Sequence, residues 1–113
     1  MLEQKVIIVE GGADRKRLKR ILAEPVEILC TNGTISPYHL EELLTPYEEF
    51  EMYVFVDADE DGEKIRTLFK REYPLAVHLY TEEVYREVET TPYNVIAAAL
   101  LAVHIEVDRK FLT

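Results

Sequence analysis

The stretch VFVDADEDGEKI at residues 54–65 decides both the fold and the chemistry of this 113-residue chain. The run MYVFV (52–56) is rich in β-branched and aromatic residues, which is typical of a buried strand, and three aspartates on alternate positions follow it. The letters DADEDG match the first half of an EF-hand loop. Counted from Asp57, however, the twelfth residue is Leu68 rather than the required glutamate, and a strand precedes the acids instead of a helix. The pattern predicts a strand that ends in carboxylates.

A second apolar run, KVIIVE at residues 5–10, also ends in an acid and is followed by two glycines. Strand-like and helix-like segments alternate along the rest of the chain, which predicts an α/β, Rossmann-like fold with a mostly parallel four-stranded sheet and helices on both faces. Ser36–Pro37 and Thr91–Pro92 have the cap-plus-proline pattern of helix starts. The last ten residues fit either a strand or a helical tail. We predict strands at 5–10, 26–30, 52–56 and 75–80, and helices at 14–22, 36–44, 62–72 and 91–103.

Composition predicts one cytoplasmic domain spanning residues 1–113, without a membrane partner. Cys30 is the only cysteine, and the longest apolar run, 95–103, is too short to cross a bilayer. The formal net charge of −9 works against unspecific binding to nucleic acid. Basic residues nevertheless cluster in DRKRLKR (14–20) and EKIRTLFKR (63–71). These clusters are either solvated helix surfaces or a local anion-binding face.

The two acid-terminated strands predict a shared site. With a strand order of 2-1-3-4, Glu10 and Asp57 would lie about 5 Å apart at the carboxyl edge of the sheet. Carboxylates clustered in this way hold a proton, bind a cation or face water. Oxygen ligands favour Mg²⁺, with Mn²⁺ as a substitute, over zinc. The predicted metal ligands are Glu10, Asp57, Asp59 and Asp61, although Asp61, like Asp14, has an alternative role as a helix cap.

Taken together, VEGGAD (9–14) and VDADEDGEKI (56–65) resemble the Toprim domain, which occurs in topoisomerases, bacterial primases, nucleases and a ribosomal RNA-maturing ribonuclease. TNGT (31–34) is similar to the turn after the second strand of that ribonuclease. The resemblance covers about residues 4–82, with 91–113 as a C-terminal helix and tail. It implies that Glu10 is a general acid/base and that Asp57 and Asp59 bind magnesium. Asp61 matches a third acidic position of the topoisomerase members.

The resemblance implies Mg²⁺-dependent phosphodiester chemistry on RNA or DNA, with Glu10, Asp57 and Asp59 as catalytic residues. The domains that carry the topoisomerase tyrosine or the primase template site have no counterpart in this sequence, so the similarity is to small bacterial stand-alone Toprim proteins and to a small nuclease. Contacts to phosphate are expected from the following residues: Gly11, Arg15, Lys19 and Lys64.

Two other functions remain open from the sequence. One is a non-catalytic metal-binding module that acts with a nucleic-acid-processing protein or as a homodimer. The other is a phosphoacceptor receiver domain, with Asp57 as the acceptor and Thr81 after the fourth strand. A receiver needs paired acids after its first strand, where this chain has Glu10 followed by Gly11, and it needs a lysine at the end of a fifth strand.

Overall fold

The computed structural model describes residues 4–81 and 85–113. Strands and helices alternate through most of this length. The elements are β1 (Lys5–Val9), α1 (Gly12–Ile21), β2 (Glu27–Cys30), α2 (Pro37–Leu44), a 3₁₀ helix (Thr45–Tyr47), β3 (Glu51–Phe55), α3 (Glu60–Glu72), β4 (Val77–Leu79), α4 (Tyr93–Ala102) and a second 3₁₀ helix (Arg109–Leu112). The fourth strand is followed by an acidic connector, EEVYREVE (82–89), whose first three residues, 82–84, lie outside the described residues.

The four strands form one parallel sheet in the order β2-β1-β3-β4. β1 is central, and its last residue, Val9, is in register with Cys30 of β2. On the other side Ile8 is in register with Val54 of β3. The prediction of an α/β fold with a parallel four-stranded sheet is confirmed, and the residues after β1 and β3 emerge side by side at the carboxyl edge.

Both faces of the sheet are covered, so the central strands have apolar side chains on either side. Alternate residues of β1 point to opposite faces. Ile7 and Val9 belong to a core that includes α1 and α4, whereas Val6 and Ile8 belong to a core that includes α2 and α3. All four of these β1 side chains are fully buried. The continuous apolar run of KVIIV therefore reflects burial on two faces rather than one.

Two predicted helix starts have different outcomes. Ser36 caps α2, because its hydroxyl accepts a hydrogen bond from the His39 amide at 3.2 Å and Pro37 occupies the first helical position. Thr91 is not a cap, and α4 begins after Pro92. The Thr91 hydroxyl instead donates to the Glu87 carbonyl oxygen at 2.6 Å, and its side chain is buried. Because Pro92 occupies the N-cap position of α4, Thr91 lies one residue before the cap, and no side chain caps this helix.

The C-terminal tail combines the two structures that its sequence allowed. Val107 forms an isolated antiparallel bridge with Leu22, and the chain then turns into the second 3₁₀ helix. Glu24 fastens the tail, because its carboxylate accepts from the Glu106 amide at 2.7 Å and pairs with Lys5 at 2.9 Å. None of the helices in the described part of the chain is long and apolar enough to span a bilayer.

Gly62 allows α3 to begin close to the end of β3. A Cβ atom at this position would lie 1.9 Å from the Asp57 carbonyl oxygen, which is backbone and cannot move aside. A Cβ atom added to Gly12, the first residue of α1, would have no heavy atom of the described residues within 4 Å beyond its chain neighbours and its own helix backbone. The glycine after the acids is therefore a packing requirement, whereas Gly12 is not.

We expect Gly62→Ala to lower the free energy of unfolding by about 3 kcal/mol, since overpacking against backbone forces α3 away from Asp57. Gly12→Ala is the matched control and should be neutral or slightly stabilising, because alanine is favoured over glycine in a helix. Urea unfolding of both variants measures the difference. Equal stability of the two variants would contradict the close packing of α3.

Candidate metal and nucleic-acid site

Glu10 and Asp57 are joined directly at the carboxyl edge of the sheet. The backbone amide of Asp57 donates a hydrogen bond to Oε1 of Glu10 at 2.8 Å. Both side chains are partly buried. The Glu10 carbonyl oxygen accepts from the Asn32 amide at 2.7 Å, which brings the turn after β2 to the same edge. The ends of β1, β2 and β3 thus meet around Glu10.

The side chain of Asp57 is held by a segment from beyond β4. Its Oδ1 accepts from the Val88 amide at 2.8 Å. The neighbouring Ala58 amide donates to the Arg86 carbonyl oxygen at 2.6 Å. We call residues 86–91 the crossing segment, since they run over the end of β3 before α4 begins. One oxygen of Asp57 is therefore engaged by the crossing segment, as one oxygen of Glu10 is engaged by Asp57.

Arg17 of α1 fixes the other end of the crossing segment. Its guanidinium donates to the carbonyl oxygens of Glu89 and Thr91. The same guanidinium lies 4.4 Å from the ring centre of Tyr93, at the start of α4. Arg17, which the sequence placed in a basic helix face, is thus a structural residue that holds the crossing segment against α1.

The acids at the two helix starts have separate roles. Asp59 is the N-cap of α3, with Oδ1 accepting from the Gly62 amide at 2.8 Å. The alternative role of Asp61 as that cap is therefore wrong; Asp61 is exposed in the first turn of α3. Asp14 accepts from the Gly11 amide at 3.0 Å, so it caps α1 from its third position. That hydrogen bond also engages the Gly11 amide.

Burial and mutual repulsion raise the proton affinity of three of these carboxyls. Desolvation raises the pKa of Glu10, and the nearby charges of Asp57, Asp59 and Asp14 add to it, against the hydrogen bond from the Asp57 amide. Desolvation likewise raises the pKa of Asp57, against the Val88 hydrogen bond, with further repulsion from Asp59. The pKa of Asp14 is raised chiefly by burial. The carboxyl edge is consequently a concentrated negative field without a compensating salt bridge in the described residues.

Two glutamates of the crossing segment extend this field. Glu87 and Glu89 both repel the charge of Asp57, and Glu89 also acts on Asp14. Neither was among the predicted site residues, because only the fold brings the crossing segment to the end of β3. The acidic residues after β4 are visible in the sequence, but they have no helical or strand periodicity that would place them at the carboxyl edge.

The donor atoms fit a hard cation that takes few protein ligands. Within residues 4–81 and 85–113, no three acidic, histidine or cysteine side chains are arranged to hold one ion. Glu10 and Asp57 each have one oxygen fixed by a backbone amide, and burial, with repulsion from the neighbouring acids added to it, raises the pKa of both carboxyls. Mg²⁺ commonly binds one or two carboxylates and keeps several waters, so this pair suits it better than a cage of protein ligands would.

Arg66 is a site-supporting residue that the sequence did not single out. Although it lies in the basic string of α3, its side chain is 1% exposed. Its Nη2 donates to the carbonyl oxygens of Val56 at 3.0 Å and Leu79 at 2.6 Å. Val56 directly precedes Asp57, and Leu79 ends β4. Arg66 therefore fixes the ends of both strands relative to α3.

Burial and the neighbours of Arg66 act on the pKa of its guanidinium in opposite directions. Its Nη1 lies 3.2 Å from Nδ1 of His78, and its guanidinium lies 4.0 Å from the ring centre of Tyr80. Burial lowers the pKa of Arg66, while Tyr80 and the charge of Glu63 oppose that effect. Burial also lowers the pKa of His78, and the positive charge of Arg66 adds to it, which favours a neutral imidazole whose Nδ1 accepts from the guanidinium.

The predicted phosphate-contacting residues are distributed over two helices. Arg15 and Lys19 are exposed on α1, and Lys64 is exposed on α3. Lys64 makes a long ion pair of 3.9 Å with Glu60, one turn earlier on the same helix. The two helices lie on opposite faces of the sheet. Arg15 and Lys64 lie within the first two turns of α1 and α3, whereas Lys19 lies in the last turn of α1, away from the carboxyl edge.

The parallel α/β sheet and the paired acids at its carboxyl edge place the chain in a class of proteins whose candidate site for a metal ion or a phosphoryl group lies at that edge. Comparison with known proteins then gives the family. A model described as the Toprim domain matches residues 5–88. The chain belongs to the Toprim domain family. The resemblance inferred from VEGGAD and VDADEDGEKI is confirmed.

Relatives and a solved structure agree with this assignment. The chain is similar to the uncharacterized protein YusF of Bacillus subtilis (strain 168), with 45% identity over 109 residues, 96% of this chain and 75% of YusF. It is 35% identical over 78 residues to ribonuclease M5 1 of Ligilactobacillus salivarius (strain UCC118), which covers 68% of this chain but 41% of that ribonuclease. A small TOPRIM domain protein from Bacillus stearothermophilus superposes with a TM-score of 0.94 at 45% identity, covering 100% of this chain and 96% of the other.

We expect Arg66→Met to lower the free energy of unfolding by about 3 kcal/mol, because it leaves the buried carbonyls of Val56 and Leu79 without a donor. Lys70→Met is the control, since Lys70 is exposed on the same helix and its replacement should cost under about 0.5 kcal/mol. Urea unfolding measures both. A loss no greater in Arg66→Met than in Lys70→Met would show that the buried guanidinium does not hold the strand ends.

We expect Asp57→Asn to stabilise the protein at pH 7, by up to about 1 kcal/mol, because the amide oxygen still accepts from Val88 while the repulsion is removed. The folded-state pKa of Asp57 lies above its ordinary value of 3.8, so wild-type stability falls as pH rises through the interval above that value. The advantage of the variant should therefore shrink as pH falls through that interval and be lost well below 3.8, where the Asp57 carboxyl is protonated in both the folded and the unfolded protein.

Thermal unfolding at pH 7 and at a pH well below 3.8, with and without Mg²⁺, measures this effect. Mg²⁺ should raise the melting temperature of the wild type at pH 7 and leave that of Asp57→Asn nearly unchanged. If the variant were less stable than the wild type at pH 7 without Mg²⁺, the negative charge of Asp57 would stabilise the folded protein, which would contradict the repulsion described above.

Proposed function

We propose that this Toprim protein carries out Mg²⁺-dependent phosphodiester chemistry on nucleic acid, as a small nuclease, with residues 1–113 acting as one cytoplasmic domain. The single observation that carries the proposal is the hydrogen bond from the Asp57 amide to Glu10, which joins the two acid-terminated strands of the family motif at one edge. Mn²⁺ is proposed as a substitute for Mg²⁺. The similarity to a protein named ribonuclease M5 1 supports a nuclease, with RNA as the first substrate to test.

The proposed metal ligands are Glu10 and Asp57, supported by Asp59 and Asp61 through charge and bound water. Bound there, Mg²⁺ would neutralise charge on the phosphate oxygens. Asp59 is tied to the start of α3 by its cap, so its charge stays close to Asp57. Asp61 is exposed at the same helix start and is the outermost of these acids.

Glu10 suits proton transfer. Its Oε1 is fixed by the Asp57 amide, which leaves its second oxygen to face a reacting group. Without a bound cation, burial and the neighbouring acids raise the pKa of Glu10, whereas Mg²⁺ beside it would act in the opposite direction. A carboxyl at this position can protonate a leaving oxygen or accept a proton from water. Arg15, Lys19 and Lys64 are the proposed contacts to flanking phosphates, whereas the predicted contact through the Gly11 amide is not proposed, because that amide is bound to Asp14.

Cleavage of a fluorescent single-stranded RNA in Mg²⁺ or Mn²⁺ tests this function. Glu10→Gln should lower the rate at least about 100-fold, since general acid/base groups contribute this much or more, and Asp57→Asn should lower it by at least about as much because it removes a metal ligand. Glu27→Gln is the control, because Glu27 is exposed near the start of β2, away from the carboxyl edge. Activity that persists unchanged in Asp57→Asn would assign the cleavage to another protein.

A non-catalytic module is the second candidate function, and the net charge of −9 favours it. Such a module would bind Mg²⁺ and a nucleic-acid-processing partner without cleaving RNA or DNA. Mg²⁺-dependent stabilisation in the absence of any cleavage would support it. The receiver-like alternative loses ground, because the sheet in the described residues has four strands and thus lacks the lysine-terminated fifth strand that a receiver needs.

A further inference from the structure

A groove between α2 and α3 has two cations, Lys64 and Arg71, and no acidic residue among the described residues of its lining. Its volume is about 210 Å³, and its walls come from the turn before α2 and from one side of α3. The polar lining consists of Thr34, Lys64, Thr67 and Arg71. At about 30 Å³ for each water molecule, this groove holds several waters or a phosphate group.

The α3 residues of the groove form a straight stripe. Lys64, Thr67 and Arg71 are spaced by three and four residues, which places them on one side of the helix. The rise of an α-helix separates Lys64 from Arg71 by about 10 Å along the axis. The stripe therefore offers two cations with a hydroxyl between them, arranged in a line rather than around one point.

The start of α2 forms the opposite wall. Pro37, its first residue, lines the groove, and the first turn of α2 contains no acidic residue. The positive end of the helix dipole thus adds to Lys64 and Arg71. Tyr38 follows Pro37 and is 67% exposed, which provides an aromatic surface at the same end of the helix.

The cations of the groove are weakly engaged. Lys64 lies 3.9 Å from Glu60, and Arg71 lies 3.0 Å from Glu72, its neighbour in sequence. These four side chains are between 44% and 89% exposed, and exposed pairs contribute little to stability. A phosphate group can replace either glutamate at small cost.

The groove and the acidic edge share a loop. Asn32 donates its amide to the Glu10 carbonyl, and two residues later Thr34 lines the groove. Asn32 and Gly33 both have positive φ angles, 58° and 101°, which turn the chain sharply between the two sites. On α3, Asp59 caps the helix start and Lys64 follows by less than two turns. A strand whose one phosphate lies at Glu10 and Asp57 can continue directly into the groove.

We propose that the groove between α2 and α3 binds the phosphate backbone of single-stranded nucleic acid on one side of the cleaved phosphate, with a base stacked on Tyr38. Single-strand binding commonly combines a cationic groove with aromatic stacking surfaces. The inference rests on the proposed nuclease function for its substrate, but binding in the groove is measurable without cleavage. The inference adds three contacts to nucleic-acid phosphate, beyond the predicted contact of Lys64: Thr34, Thr67 and Arg71.

Fluorescence anisotropy with a labelled 12-nucleotide RNA, with Ca²⁺ in place of Mg²⁺, tests the groove. The double variant Lys64→Ser/Arg71→Ser should weaken binding at least about tenfold and lower the salt slope by about 1.4, as expected for two lost single-strand phosphate contacts. Lys64→Ser/Lys70→Ser is the matched control with the same charge change; it should lose only the Lys64 contact, because Lys70 does not line the groove. Equal affinities of the two double variants would overturn the role of Arg71.

A second measurement separates this inference from the proposed function. Inorganic phosphate, titrated against ¹⁵N-labelled protein, should shift the amide signals of Thr34, Thr67 and Arg71, and Asp57→Asn should show the same shifts. Shifts with phosphate but no binding of the RNA would overturn the assignment to a strand. If RNA binds in the groove but is not cleaved, the inference holds and the nuclease function fails. If the amide signals do not shift, the groove does not bind phosphate and the inference fails.

A third variant tests stacking. Tyr38→Ser should weaken RNA binding several-fold and leave the response to inorganic phosphate unchanged, since base–aromatic stacking is independent of the phosphate contacts. A 12-base-pair duplex RNA should bind at least about tenfold more weakly than the single strand. Equal affinity for duplex and single strand would contradict stacking on Tyr38.

Discussion

The hydrogen bond from the Asp57 amide to the Glu10 carboxylate is the constraint on which the rest of the site depends. It joins the residues that follow two neighbouring parallel strands, so it forms only if β1 and β3 are adjacent and in register. The same bond fixes one oxygen of Glu10 and sets the position of Asp57. The two acids repel each other, and this repulsion lowers the free energy of unfolding. Other contacts around the site must therefore compensate for it.

Part of that stability comes from two arginines, one of them fully buried, whose guanidinium groups bind backbone carbonyls rather than carboxylates. Arg66 fixes the carbonyl before Asp57, and Arg17 fixes the carbonyls of the crossing segment, whose Val88 amide binds Asp57. Both arginines therefore support the acidic edge without neutralising it. The charge of the edge remains available to an ion, while its geometry is set by neutral hydrogen-bond acceptors.

The sheet could be predicted from the sequence because each strand is a short apolar run with clear ends, and KVIIV and MYVFV are buried on both sides. The pairing of Glu10 with Asp57 followed from strand order and required no knowledge of side chains. The positions of Arg66 and Arg17 could not be predicted, since a helical spacing that alternates with basic residues does not show which cation points inward. Glu87 and Glu89 were missed for a related reason, because the crossing segment reaches the site through tertiary hydrogen bonds. The cap of α3 belongs to Asp59 rather than Asp61, since Gly62 lets the helix start close against β3.

The crossing segment is anchored at both of its ends, and this limits where the chain can change in length. Arg86 and Val88 are fixed at the end of β3, whereas Glu89 and Thr91 are fixed on α1. Inserting or deleting one residue between these anchors would put every later hydrogen bond out of step and displace α4. Natural variation in chain length among close relatives should therefore be rare from Arg86 to the start of α4.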